Sequence, residues 1–102
     1  MGFFSSLLGG GNAATLQQAK AWVQAGATLL DVRTPGEFGN GHLPGARNIP
    51  LQTLPASLKQ VGKKGDKVVV YCQSGGRSAQ ARALLESKGF EVTDLGPMSA
   101  WR

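Results

Sequence analysis

The chain is short of cysteine, histidine and long apolar runs, and these shortages exclude several kinds of protein. A single cysteine cannot form a disulfide within the chain, and a lone free thiol suits a reducing compartment such as the cytoplasm. One histidine and one cysteine do not supply the ligands of a zinc site, so neither a metal nor a cofactor is expected. No stretch approaches the ~20 apolar residues of a membrane-spanning helix, so no membrane span is expected.

Acidic residues and aromatics are also scarce, which narrows the choice of partners. Among the 102 residues, 11 are lysine or arginine and 6 are aspartate or glutamate, so the net charge is +5. A positive charge favours anionic small molecules or acidic partners. The basic residues are scattered, with only Lys63 and Lys64 adjacent, and few aromatics accompany them, so no binding to nucleic acid is expected.

The length suits one domain, and a glycine-rich break lies near its start. The run Gly9-Gly10-Gly11-Asn12 predicts a flexible N-terminal tail over residues 1–11 and a domain over residues 12–102. The tail is apolar but has no basic residue ahead of its apolar stretch, so it is not expected to be a secretory signal.

Short apolar runs alternate with helix-like stretches along the predicted domain. The runs predict strands over residues 27–32, 48–51, 67–71 and 91–95, and the stretches predict helices over 16–25, 54–61 and 77–88, with a helical turn at 34–38 and a loop over 39–46. Thr15 or Asn12 is expected to cap the first helix, and Pro50 indicates a strand near an edge. This alternation predicts an α/β fold with a parallel sheet covered on both faces, whose ligands bind beyond the carboxyl ends of the strands.

Cys72 lies at one such strand end, and a glycine-rich loop and a predicted helix follow it. The loop residues are Gln73, Ser74, Gly75, Gly76, Arg77 and Ser78. The glycines let backbone amides turn inward to form an anion site, to which the helix N-terminus and the charge of Arg77 add. These effects favour the thiolate, so we expect the pKa of Cys72 below the ~8.5 of free cysteine and a nucleophilic sulfur. A buried structural cysteine is the alternative.

Four segments in a fixed order resemble the signatures of the rhodanese family of sulfurtransferases. They are DVRTPGEF (31–38), GHLPGARNIP (41–50), VVYCQSGGRS (69–78) and DLGPMSAW (94–101). The resemblance covers residues 16–101, which is nearly the whole predicted domain. One departure is Pro97, which stands where the family usually has a second glycine and stiffens the last turn near Cys72.

The resemblance implies a fold, a reaction and a set of partners. The fold is a three-layer sandwich, with a parallel sheet of about five strands and helices on both faces. In the reaction, Cys72 takes a sulfane sulfur from thiosulfate or from a protein persulfide and holds it as a persulfide. It then passes the sulfur to cyanide or to a thiol acceptor such as thioredoxin or glutathione. The amides of residues 73–78 bind the anionic donor, and Arg77 helps to attract it. The oligomeric state stays open.

Two other functions remain as alternatives. The small domain suits a non-catalytic sulfur carrier or interaction module. A cysteine phosphatase or arsenate reductase shares the anion-binding loop, but phosphatases typically place their arginine six positions after the cysteine. Arg77 is the fifth residue after Cys72, and the shorter loop suits a sulfur atom better than a phosphoryl group.

Four further residues are expected to surround the site without touching substrate. They are Asp31, Arg33, His42 and Trp101. A strand end followed by the start of a turn predicts a local salt bridge and a helix cap. The residues concerned are Asp31, Arg33 and Glu37. His42 invites a general-base role, but in the family pattern it holds the loop by hydrogen bonding. Core packing is the main expectation for Trp101, and a wall of the substrate pocket is its alternative.

Overall fold

The computed structural model describes residues 13–102, so the predicted tail (residues 1–11) and Asn12 lie outside the described residues. The helices are α1 (Ala13–Gln24), α2 (Pro35–Gly39), α3 (Leu58–Val61) and α4 (Gly76–Ser87). The strands are β1 (Thr28–Asp31), β2 (Arg47–Asn48), β3 (Lys67–Cys72) and β4 (Glu91–Pro97), and 3₁₀ turns cover Leu54–Ala56 and Met98–Ala100. Thr15 lies inside α1, so the prediction that Thr15 caps this helix was wrong.

The strands form a parallel sheet in the order β2-β1-β3-β4, with β2 at one edge. α1 packs on one face of the sheet and α4 on the other, which confirms the predicted three-layer α/β architecture. The strand number differs from the expected five, because residues 13–102 supply four strands.

β3 is the centre of the fold because its residues are buried on both faces of the sheet. Val68, Val70 and Cys72 point into the core beneath α4. Val69 and Tyr71 point into the core beneath α1. A run of β-branched and aromatic residues suits this setting, since neither face has to be polar. Because successive side chains of β3 point to opposite faces of the sheet, the Cys72 side chain lies on the face covered by α4.

The second strand is shorter than predicted, and Pro50 explains why. β2 covers two residues, and the amide-free Pro50 follows it in the segment that the sequence predicted as strand. The amides on either side of the proline still bond to the end of β1, since Ile49 N and Leu51 N donate to carbonyl oxygens there at 3.0 and 3.1 Å. The chain therefore stays attached to the sheet beyond the strand.

The helix predicted over 54–61 is divided at Ser57. This residue has a φ of −123° and a ψ of 20°, outside the helical range, so a 3₁₀ turn precedes it and the short α3 follows it. β4 runs to Pro97, two residues past the predicted end.

Candidate active site

Cys72 is the last residue of β3, and α4 begins four residues later at Gly76. The turn between them depends on Gly75, whose φ of +103° lies in the left-handed region that side chains resist. β1 ends at Asp31 beside Tyr71 of β3, so the segments that follow the two strands meet at one edge of the sheet. This edge is the one where α/β sheets bind ligands.

The sulfur of Cys72 is buried, and backbone amides surround it. Gly75 N donates to Sγ at 3.0 Å and Ser78 N at 3.3 Å. The hydroxyl of the buried Ser78 donates to the Gly75 carbonyl at 3.1 Å. Burial raises the pKa of the Cys72 thiol, but hydrogen bonds from Ser78 and from the Gly75 and Ser74 amides outweigh it, so the pKa lies below its usual value. The geometry therefore favours the thiolate.

Arg77 lies in the first turn of α4 and forms an ion pair with Glu37 of α2. The two guanidinium nitrogens Nη1 and Nη2 donate to Oε1 and Oε2 at 2.6 and 2.9 Å. The hydrogen bond to Arg77 lowers the pKa of Glu37 to about 2. Glu37 also closes a capping box with Thr34, whose amide donates to Oε1 at 2.9 Å. The sequence predicted the cap but not the partner of Arg77.

Arg33 and Asp31 form a second ion pair, and this pair is buried. Arg33 is 2% exposed and Asp31 is fully buried, with 2.7 Å between Nη2 and Oδ2. Arg33 also donates to the Gly41 carbonyl at 2.7 Å and to the side-chain oxygen of Gln73 at 3.3 Å. The predicted local salt bridge is therefore present and connects β1, the loop after α2 and the loop after Cys72.

Tyr71 and His42 hold the loop between α2 and β2 in place. The Tyr71 hydroxyl accepts a 3.1 Å hydrogen bond from Leu43 N, and burial raises the pKa of Tyr71 to about 12. His42 is exposed, with Nδ1 2.9 Å from the Phe38 carbonyl oxygen and its ring stacked on Phe38 at 3.7 Å. A carbonyl only accepts, so Nδ1 carries the proton. These contacts give His42 a role in loop structure.

Trp101 packs into the core beneath α1, on the opposite face of the sheet from the Cys72 side chain. The Lys20 ammonium lies 5.8 Å from the centre of its ring. The structure thus gives Trp101 the core-packing role that was its main expectation. Pro97 lies beside Cys72 in the β3–β4 register, so the proline that departs from the family pattern is a direct neighbour of the cysteine.

A cavity of about 280 Å³ opens beside Arg77 at the carboxyl edge of the sheet. Its lining residues are Val32, Thr34, Pro50, Leu51, Gln52 and Arg77. The volume lies just below the range of about 300–1,000 Å³ that is usual for small-molecule pockets. A larger cavity of about 380 Å³ lies at the amino ends of β1 and β3, near Thr28 and Lys67, and so away from Cys72. Within residues 13–102, no three side chains of the metal-binding types cluster to form a metal site.

The Glu37–Arg77 pair and the cavity wall from residues 50–52 were missed by reasoning from the sequence. The pair could have been found, because each member follows a strand and the two strands were predicted to be parallel. Side chains of opposite charge beyond the same edge of a sheet are candidates for pairing. The cavity wall depends on the path of the chain after Pro50, and no local sequence pattern indicates that path.

Comparison with known proteins agrees with this architecture. The family model described as a rhodanese-like domain matches residues 15–102. A protein of Allochromatium vinosum named sulfurtransferase is 41% identical over 75 residues, which are 72% of this chain and 69% of that protein. Thiosulfate sulfurtransferase 16, chloroplastic, of Arabidopsis thaliana is 44% identical over 90 residues, covering 76% of this chain and 75% of the relative.

Solved structures show the same similarity. The Alr3790 protein from Anabaena sp. superposes with a TM-score of 0.73 at 31% identity, over 84% of this chain and 81% of that one. A rhodanese with anions from E. coli superposes with a TM-score of 0.68 at 34% identity, over 72% and 89% of the two chains. Among the described helices, none is long and apolar enough to cross a membrane. The chain belongs to the family of rhodanese-like domains.

Proposed function

We propose that the protein is a sulfurtransferase that carries a sulfane sulfur as a persulfide on Cys72. The observation that carries this proposal is the pair of hydrogen bonds from Gly75 N and Ser78 N to the cysteine sulfur. Amides aimed at a sulfur stabilise it as an anion before any substrate arrives, which is electrostatic preorganisation. The names of the relatives as sulfurtransferases support the same reaction class.

In the first half-reaction the Cys72 thiolate attacks the outer sulfur of a donor. With thiosulfate, a bond forms between Sγ and the outer sulfur, the sulfur–sulfur bond of thiosulfate breaks, and sulfite leaves with the bonding electron pair. The cysteine then carries an anionic persulfide. Amides in the first turn of a helix have no partner within the helix. The first-turn amides of α4 therefore suit the additional charge of the bound sulfur.

In the second half-reaction a nucleophile takes the outer sulfur away. Cyanide attacks it, the sulfur–sulfur bond breaks toward Sγ, thiocyanate leaves, and the Cys72 thiolate returns. A thiolate acceptor such as glutathione or thioredoxin reacts in the same sense and leaves as a persulfide. Such acceptors are abundant in the reducing cytoplasm, where we place the protein. The loop residues 73–78 bind donor and acceptor, and no cofactor takes part.

The test is thiocyanate formation from thiosulfate and cyanide by the purified chain and by Cys72→Ser. We expect activity in the first and none above background in the second, because no other cysteine can carry the sulfur. Ser87→Ala is the control, since this exposed serine lies at the far end of α4 and bonds only locally to the Leu84 carbonyl. Activity that survives Cys72→Ser would remove the cysteine from the reaction.

Mass spectrometry of the protein after incubation with thiosulfate distinguishes a catalyst of sulfur transfer from a protein that only carries sulfur. A persulfide on Cys72 that forms without thiocyanate production would assign the chain to sulfur carriage. Turnover of an aryl phosphate without sulfur transfer would assign it to the cysteine phosphatases.

A further inference from the structure

The charge of Arg77 is balanced inside the site, although the chain as a whole is basic. Its guanidinium makes two hydrogen bonds to the Glu37 carboxylate, at 2.6 and 2.9 Å. The pKa of Glu37 is lowered to about 2, so this carboxylate is ionised at neutral pH. Both side chains are about one third exposed and face the same edge of the sheet as Cys72.

The second guanidinium at this edge is balanced as well. Arg33 pairs with Asp31 at 2.7 Å, and both are buried. The two guanidinium groups and two carboxylates beside Cys72 therefore sum to zero, whereas the net charge of the chain is +5. Attraction of an anion to Cys72 thus depends on backbone amides and the helix end, because neither guanidinium offers an uncompensated charge.

We propose that Glu37 determines donor specificity by cancelling the charge of Arg77, which makes the site favour organic persulfides over the thiosulfate dianion. This inference rests on the proposed function. An organic persulfide carries at most one negative charge on its sulfurs, whereas thiosulfate carries two. The cavity beside Arg77 supplies the second half of the argument, because Val32, Pro50 and Leu51 give it an apolar wall that suits an organic substituent.

The transfer from such a donor, R–S–SH, involves no dianion. The Cys72 thiolate attacks the outer sulfur, a new sulfur–sulfur bond forms to Sγ, and the original sulfur–sulfur bond breaks. The group R–S⁻ leaves with the bonding electrons, and the proton stays on the sulfur now bound to Cys72. One negative charge is present before and after this transfer. A site in which the side-chain charges of the two ion pairs cancel can therefore accommodate the reaction.

The charge at the site is measured without turnover by alkylating Cys72 with anionic iodoacetate and with neutral iodoacetamide. The chain has a single cysteine, so both rates report on it alone. Glu37→Gln keeps an oxygen for the Thr34 amide but removes the charge opposite Arg77. We expect the ratio of the iodoacetate to the iodoacetamide rate to rise about threefold to tenfold. The rise should disappear in about 1 M salt, where the Debye length is about 3 Å.

Arg77→Gln leaves the Glu37 carboxylate uncompensated, so the ratio is expected to fall by a similar factor. The double variant should return close to the ratio of the unchanged protein. Glu86→Gln is the matched control, because Glu86 pairs with Arg82 on the exposed side of the same helix. Opposite shifts separate a charge effect from misfolding, since structural damage moves both single variants in the same direction. Unchanged ratios, or shifts of one sign, overturn the proposal.

Turnover supplies the specificity measurement. Glu37→Gln is expected to lower KM for thiosulfate about threefold to tenfold and to leave KM for the persulfide of 2-mercaptoethanol within about twofold. A KM for thiosulfate that stays the same or rises contradicts the proposal. Failure of the proposed function would appear differently, as absence of thiocyanate in the unchanged protein, while the alkylation ratios would still measure the charge at Cys72.

Discussion

At the scale of single residues, Cys72 is subject to two opposing influences. Its side chain is fully buried among apolar neighbours, which favours the neutral thiol. Ser78 and the loop amides donate hydrogen bonds to the sulfur, which favours the thiolate, and their effect is the larger. The sulfur therefore favours the thiolate form although the side chain is buried.

Replacing the Ser78 hydroxyl tests this balance. In Ser78→Ala the backbone amide still donates to Sγ, but the hydroxyl that helps to lower the pKa of Cys72 is lost. We expect the pH at which alkylation of Cys72 reaches half its plateau to rise, and stability to fall by about 1 kcal/mol because the bond to the Gly75 carbonyl is also lost. The pH profile of iodoacetamide alkylation checks this. A midpoint that stays in place would assign the lowered pKa to the amides alone.

Glu37 links the ion pair to stability at low pH. Its pKa is about 2 in the fold against an ordinary value of 4.5. A carboxyl group with a lowered pKa stabilises the fold at pH values above its unfolded pKa, and this contribution is lost as the pH falls through the folded pKa. The Tm of the unchanged protein should therefore exceed that of Glu37→Gln above pH 4.5, and the difference should vanish toward pH 2. A constant difference across this range would contradict the assignment.

At the scale of elements, β3, the loop after it and α4 together build the candidate site. The strand carries Cys72 to the edge of the sheet, the left-handed Gly75 reverses the chain, and the helix begins with its amides toward the sulfur. Segment 32–37, which follows β1, supports both ends of this loop. Arg33 contacts Gln73 at the start, and Glu37 contacts Arg77 at the end.

The conformation of Gly75 provides a prediction about this unit. Gly75→Ala forces a side chain into a φ of +103°, which is expected to cost about 1–2 kcal/mol and to turn the amide at this position away from Sγ. Both Tm and the alkylation rate of Cys72 should fall. Gly39→Ala is the control, because Gly39 lies in α2 with open space around it and a φ outside the left-handed region. Equal effects of the two substitutions would contradict a special role for Gly75.

Elements that depend on local pattern were predicted well from the sequence, whereas pairings between distant segments were not. The apolar run of β3 and the strand–loop–helix arrangement around Cys72 are continuous in sequence, so periodicity and glycine placement were enough. The bond between Glu37 and Arg77 joins residues 40 positions apart and depends on the register of β1 against β3. The break at Ser57 was missed for another reason, because the residues of 54–61 suit a helix and only the backbone angles show the division.

At the scale of the whole molecule, two cores share one sheet. Leu85 lies in the core beneath α4 together with Cys72, and Leu95 lies in the core beneath α1 with the tryptophans Trp22 and Trp101. Adjacent residues of β3 belong to different cores, so one core cannot be lost while the other keeps its packing. Cooperative unfolding of the entire domain follows from this arrangement.

Truncating either core tests that cooperativity. Leu85→Ala and Leu95→Ala each remove a fully buried side chain, and each is expected to cost about 2–5 kcal/mol. Tryptophan fluorescence reports on one core and protection of Cys72 from alkylation on the other. In both variants the two probes should give the same midpoint of unfolding, and this midpoint should be lower than that of the unchanged protein. Gln80→Ala, on the exposed side of α4, should change stability by less than about 0.5 kcal/mol. Separate midpoints would mean that the cores unfold independently.

The ion pair between Glu37 and Arg77 also bears on how sequences of this kind evolve. A chain that loses Arg77 alone keeps a carboxylate close to its nucleophile, and a chain that loses Glu37 alone gains a free guanidinium there. On the proposed function, each single change alters which sulfur donors approach, so neither is a neutral step. We expect the two positions to be exchanged together among descendants that keep the same donor. A change at only one of them should mark a lineage that has moved to a different source of sulfur.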